Sequence, residues 1–172
     1  AKGVAVDMQG KEIPIEIVQQ SPDKYMSSMT FREGMTNVHA FNGTTAWMSS
    51  PRGTRELPPD VAEEFKKEAQ LFPLTELRGL TATLHTREQD TINGAVTYVL
   101  SSPVGQHESA RYYFDGATGL LLRKIVIAET MMGDIPEQTD YSDYRVVNGV
   151  KVPFTVKTSS VDSRGNMTHR YS

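Results

Sequence analysis

From residue 112 to residue 160 the chain alternates strand-forming runs with turns signed by their own residues. Asp115-Gly116 and Thr118-Gly119 end one strand and start the next, Met132-Gly133-Asp134 turns the chain again, and Asn148-Gly149 fits a two-residue hairpin. Asn-Gly and Asp-Gly suit such turns because both turn residues need φ > 0, which costs glycine nothing and Asn or Asp little. The run therefore predicts an antiparallel meander. A meander contains no crossover helix on which to build a nucleotide site, so the feature constrains architecture strongly and chemistry hardly at all.

The same grammar extends upstream. Ile13, Ile15 and Ile17 alternate with Pro14, Glu16 and Val18, and Pro14 argues for an edge position or a bulge. After the Ser21-Pro22-Asp23 turn, Tyr25, Ser27, Met29 and Phe31 share one face of the next strand. Glu33-Gly34 turns into a third strand at 35–41, and Asn42-Gly43 into a short fourth one carrying Trp47. Pro51-Arg52-Gly53 reads as a break in the sheet. Leu57-Pro58-Pro59-Asp60 then opens the one convincing helix, 60–70, with Asp60 as N-cap and Glu63 in the capping-box position. Val61, Phe65, Ala69 and Phe72 fall on one side of it, opposite Glu64, Lys67 and Glu68. Pro73 breaks it, and 74–78 can add a further turn.

Strands resume with Leu80, Ala82 and Leu84 against Thr81, Thr83 and His85, and Asn93-Gly94 predicts a hairpin into 96–100. Val150, Val152, Phe154 and Val156 share a face opposite Lys151, Thr155 and Lys157. The pattern predicts roughly ten strands and one or two helices, and that many consecutive antiparallel strands must curl into a barrel or split into a sandwich.

At 172 residues the length suits one domain, 1–172. Strand-like sequence at both ends predicts an excerpt of a longer chain, since terminal strands fray. A net charge of -3 gives no basic face for nucleic acid. The absence of cysteine excludes disulfides, thiolate zinc sites and covalent haem attachment. No apolar run approaches the roughly 20 residues of a membrane helix, and no signal peptide is present. His39, His85, His107 and His169 stand isolated, and the acidic stretch 134–143 lacks the twelve-residue calcium-loop pattern. With no nucleophile elbow, phosphate loop or dinucleotide fingerprint, the chain reads as a non-enzyme without cofactor or metal. What remains is apolar: 8 methionines, with Met26, Met29, Met35 and Met48 all in the N-terminal strands, either a loosely packed core or the wall of a lipid-facing cavity.

Four segments, in order, resemble the LolA/LolB-like lipoprotein-carrier family, particularly its LolA-like branch in bacterial envelope proteins. They are Ser21-Pro22-Asp23-Lys24-Tyr25; Phe41-Asn42-Gly43 with Trp47-Met48-Ser49-Ser50-Pro51; Tyr113-Phe114-Asp115 with Gly119-Leu120-Leu121; and 141–154. The resemblance implies a mainly β fold, an open antiparallel half-barrel of about eleven strands covered by one or two helices. It also implies a periplasmic or outer-envelope location and a role in carrying or sheltering acyl chains. One departure is clear: where the lipoprotein carrier has an arginine in its second strand, this chain reads Met26-Ser27-Ser28.

Two functions are expected on this basis. In the first, the half-barrel binds a lipid or lipoprotein acyl chain, with a wall of Tyr25, Met29, Phe31, Trp47, Val150, Val152 and Phe154, and Phe65 and Phe72 on the covering helix. In the second, the cavity is filled by its own side chains. The domain is then an accessory or interaction module of a larger envelope assembly, such as a cytochrome-containing electron-transfer complex, with envelope proteins as partners.

Overall fold

Turn chemistry sets the layout. In the computed structural model, which describes residues 1–20, 22–59, 61–62, 65, 77, 83–103, 108–130, 133–160 and 166–172, Asn93 and Asn148 both take φ of 50°. Gly94 and Gly149, which follow them, lie at 85° and 82°. These are the paired positive angles that the Asn-Gly dipeptides predict for two-residue hairpins.

Thirteen strands result: β1 (Lys2–Val6), β2 (Glu12–Gln20), β3 (Lys24–Arg32), β4 (Met35–Phe41), β5 (Ala46–Ser50), β6 (Gly53–Glu56), β7 (His85–Ile92), β8 (Ala95–Pro103), β9 (Glu108–Asp115), β10 (Leu121–Thr130), β11 (Gly133–Val147), β12 (Val150–Ser160) and β13 (Met167–Tyr171). They form one open sheet in the order β6-β5-β4-β3-β2-β1-β13-β12-β11-β10-β9-β8-β7. The architecture is the open antiparallel sheet expected, with thirteen strands rather than about eleven. One added strand is β6. Pro51-Arg52-Gly53 does not break the sheet but turns it, so that Ser49 pairs with Thr54 and Trp47 with Glu56. Its sequence, Gly-Thr-Arg-Glu, is exposed throughout and carries no apolar alternation by which to announce a strand.

By internal packing the chain divides into two compact units, 1–75 with 171–172, and 76–170. In the first, helical residues Ala62 and Phe65 pack on Phe41 and Ala46, with Tyr25 and Leu57 alongside. Pro59, Val61, Ala62 and Phe65 are helical. Asp60, Glu63 and Phe72, with much of the predicted helix and its second turn, lie outside the described residues, as does most of the alternating run 80–84.

The second unit buries apolar groups on both faces of its strands, because Tyr112 and Tyr113 are adjacent and point opposite ways. On one face Tyr113 joins Ile92 and Val99, flanked by Leu122 and Ile125. On the other, Tyr112 joins Ala110 and Leu121, and the helical residue Leu77 packs there with Phe114, Val126 and Tyr141. A bulge between Leu121 and Arg123 turns Leu121 to the Tyr112 side, with Val126, and Leu122 to the Tyr113 side, with Ile125. Arg123 and Asp140 pair across β10 and β11 at 2.5 Å on the Tyr113 side, and Gln138 donates to the second Asp140 oxygen at 2.7 Å. The Tyr144 hydroxyl donates to the Leu121 carbonyl at 2.6 Å, and burial pushes its pKa up to about 12.

Candidate functional site

Residues directly opposite each other on antiparallel strands share a face, so the registers decide which side chains can meet a ligand. In the first unit the helix-facing side is fixed by Phe41, which pairs with Tyr25 on one flank and Ala46 on the other. His39 follows, between Ser27 and Met48, and Met29 pairs with Ile15 and Asn37. Phe65 descends from the helix onto this surface. Its ring centroid lies 6.1 Å from that of Tyr25 and 5.4 Å from that of His39, the latter edge-on. Such tilted and T-shaped contacts are the geometries that aromatic quadrupoles favour.

Of the sequence-predicted wall residues in this unit, Tyr25 and Phe65 are therefore brought together, and Met29 lies on the same face. Trp47 stands on the opposite face, paired with Ala40 and Glu56. The loop 42–45 sets this register: the Asn42 side-chain oxygen accepts from the Thr44 and Thr45 amides at 2.9 and 2.8 Å, which delivers Ala46, not Trp47, opposite Phe41. Phe31 sits where the β3–β4 register shifts between Thr30 and Arg32 and is 40% exposed. Phe72 lies outside the described residues.

In the second unit, Tyr141 pairs with Val156, and Val156 with His169, on the side where Leu77 packs. Alternation along β12 places Val150, Val152 and Phe154 on that same side, with Lys151 and Lys157 exposed on the other. Val150 lies at the hairpin end and is 45% exposed, while Val152 and Phe154 are half-buried. The Arg145 guanidinium covers the Phe154 ring at 4.3 Å and is fixed by Asp143, 2.7 Å away. Asp143, at φ 52°, lies where the pairing of β11 with β12 is interrupted opposite Phe154 without any shift of register.

A histidine stands among the apolar groups of each unit. His39 lies under Phe65, and His169 has Nε2 at 3.2 Å from the Met167 sulfur. Burial holds the pKa of both below the ordinary histidine value. The sign follows from linkage: with folded values depressed, the stabilisation is present above the unfolded pKa of about 6.5 and is lost as pH falls through the folded values. The melting temperature should therefore fall between about pH 7.5 and 5, and His39→Phe and His169→Phe should each flatten part of that slope. Unchanged slopes in both variants would mean that these rings are freely hydrated.

Among the described residues no group of three His, Asp or Glu side chains is placed to hold a metal, and no helix is long and apolar enough to cross a membrane. His107 lies outside the described residues.

No protein-family model matches the chain, and no curated protein does. Solved structures do. A LolA superfamily protein from Nitrosomonas europaea superposes with a TM-score of 0.61 at 10% identity, covering 99% of this chain and 81% of that one. A domain named for outer membrane lipoprotein sorting, from Vibrio parahaemolyticus, gives 0.59 at 13%, covering 98% and 79%. A DUF1329 family protein from Desulfovibrio piger gives 0.61 at 14%, covering 99% and 84%. At these identities the likeness shows the fold.

Proposed function

We propose, from the LolA-like fold that this chain has, that it is a non-enzymatic domain of the bacterial periplasm or outer envelope that binds a hydrophobic ligand through an acyl chain. The observation that carries this reading is the composition of the helix-facing surfaces. In one unit Tyr25, Met29 and Phe41 line up beneath Phe65; in the other Tyr141, Val156 and Phe154 share the face on which Leu77 packs. Many of these side chains are only half-buried, so apolar area remains for a ligand to cover. Each methylene buried contributes about 0.8 kcal/mol, so roughly a dozen can drive binding with no polar contact at all. The proposed contacts are Tyr25, Met29 and Phe65 on the first unit and, taken by themselves, Val152 and Phe154 on the second; Trp47, on the opposite face from Phe65, is not among them.

Organic extraction of the purified protein followed by mass spectrometry tests this directly, together with titration by a fluorescent fatty acid. Co-purifying acyl lipid, or saturable binding of the probe, is expected. A protein that emerges lipid-free and ignores the probe would overturn the reading.

The accessory-module reading has one observation in its favour. Phe65 already rests on Tyr25 and His39, and Leu77 on the Tyr112 cluster, so part of each helix-facing surface is occupied by the chain's own side chains. Under it, the partner is another envelope protein, such as a component of an electron-transfer complex.

A further inference from the structure

The hairpin that turns at Asn148-Gly149 runs beyond the sheet that carries it. Pairing of β11 with β10 reaches no further than Asp140, opposite Arg123, and pairing of β12 with β13 no further than Thr155, opposite Arg170. Past those points β11 and β12 still pair with each other: Tyr144 with Pro153, Arg145 with Val152, Val146 with Lys151 and Val147 with Val150. These pairs make a two-stranded arm about 13 Å long. A two-stranded ribbon is marginal in water by itself, and this one is anchored at its base. There the Tyr144 hydroxyl donates to the Leu121 carbonyl, and the Arg145 guanidinium lies on the Phe154 ring.

The outer end of the arm reads Arg145-Val146-Val147-Asn148-Gly149-Val150-Lys151, and every one of these residues is exposed. Val146 is 67% exposed, Val147 43% and Val150 45%. Lone exposed valines are ordinary, but a cluster of them at the tip of a projecting arm is not. The register distributes them: Val147 and Val150 share one side of the ribbon, and Val146 lies on the other beside Lys151. A partner protein seated on one side would leave the other side's valine in water, whereas a lipid interface closes around both. The charges agree. Stretch 145–151 carries a cation on each strand and no acid, and the neighbouring carboxylate, Asp143, is already bound to Arg145.

We propose that the β11–β12 tip inserts into the interface of an anionic lipid bilayer, with Val146, Val147 and Val150 among the upper acyl carbons and Lys151 at the headgroup phosphates. Interfacial binding of this kind grows with the apolar area buried and with attraction to anionic lipid. Three valines and a flanking ammonium supply both on a modest scale, so the contact is weak and reversible. The tip is separate from the proposed acyl contacts Val152 and Phe154, and its insertion stands whether or not the domain carries a lipid.

The test uses the whole chain and vesicles of phosphatidylethanolamine with phosphatidylglycerol. Because the chain has no cysteine, Val147→Cys gives a single attachment point for an environment-sensitive fluorophore. Its emission should brighten and shift to the blue when vesicles are added. The same label at Gln9→Cys, on the exposed turn between β1 and β2, should not respond. In co-sedimentation of unlabelled protein, Val146→Ser combined with Val150→Ser should lose most of the bound fraction. Lys151→Gln should raise the lipid needed for half-binding about fivefold. Melting curves verify that the variants fold. No response at position 147 would overturn the proposal and leave the tip to a protein partner. Equal responses at positions 147 and 9, or binding undiminished in the double serine variant, would overturn it as well.

Discussion

Tyr112→Ala is expected to lower the unfolding free energy by about 3–5 kcal/mol, the range for truncating a fully buried aromatic side chain. Tyr112 has no exposed area, the largest side chain in the protein for which this holds among the described residues. It packs with Ala110 and Leu121 and lies under the Lys124 ammonium, so its removal opens a cavity that β-strand backbone on both flanks cannot easily close. Urea titration reads the loss as a lower midpoint at unchanged slope. Tyr112→Phe separates ring from hydroxyl and should cost only about 1 kcal/mol, the net worth of an ordinary hydrogen bond. A loss in the alanine variant no larger than that of the phenylalanine variant would show that the ring is not packed as described.

Gly43→Ala should cost roughly 3 kcal/mol, from two separable causes. Gly43 takes φ of 101°, a conformation that L side chains rarely adopt and that costs about 1–3 kcal/mol when forced. A Cβ built there would also lie 2.8 Å from both carboxylate oxygens of Asp23, so the Asp23 side chain, or the loop that carries it, would have to move. Adding Asp23→Ala should recover the contact part and leave the backbone part, a distinction that a double-mutant cycle of denaturation midpoints measures. Full recovery would show that backbone conformation contributes nothing; no recovery would show that the carboxylate simply swings away.

What could be read from the residues was whatever local chemistry decides. Asn93-Gly94 and Asn148-Gly149 announce their hairpins because the dihedral requirement falls on those two residues alone. The alternation of Val150, Val152, Phe154 and Val156 likewise fixes a shared face without knowledge of any partner strand. Strand β6 was not legible, since Gly53–Glu56 has no apolar side to show, and its place rests on pairing with β5. The face of Trp47 was not legible either. It depends on how many residues the Asn42 side chain gathers into the loop, and one residue more or fewer would reverse it. The face of Leu121 was hidden most deeply, because the bulge between Leu121 and Arg123 reverses the alternation there.

The strand order has a consequence for how the molecule comes into being. From β2 to β6, and again from β7 to β12, every strand pairs with its neighbour in sequence. Within each run a new strand therefore meets its partner already in place, and each hairpin closes a short loop at small entropic cost. Each run can grow by zippering, one hairpin at a time, while β1 waits for the distant β13. Sticky edges are what nascent β proteins aggregate through, so this ordering shortens the time during which the chain is vulnerable.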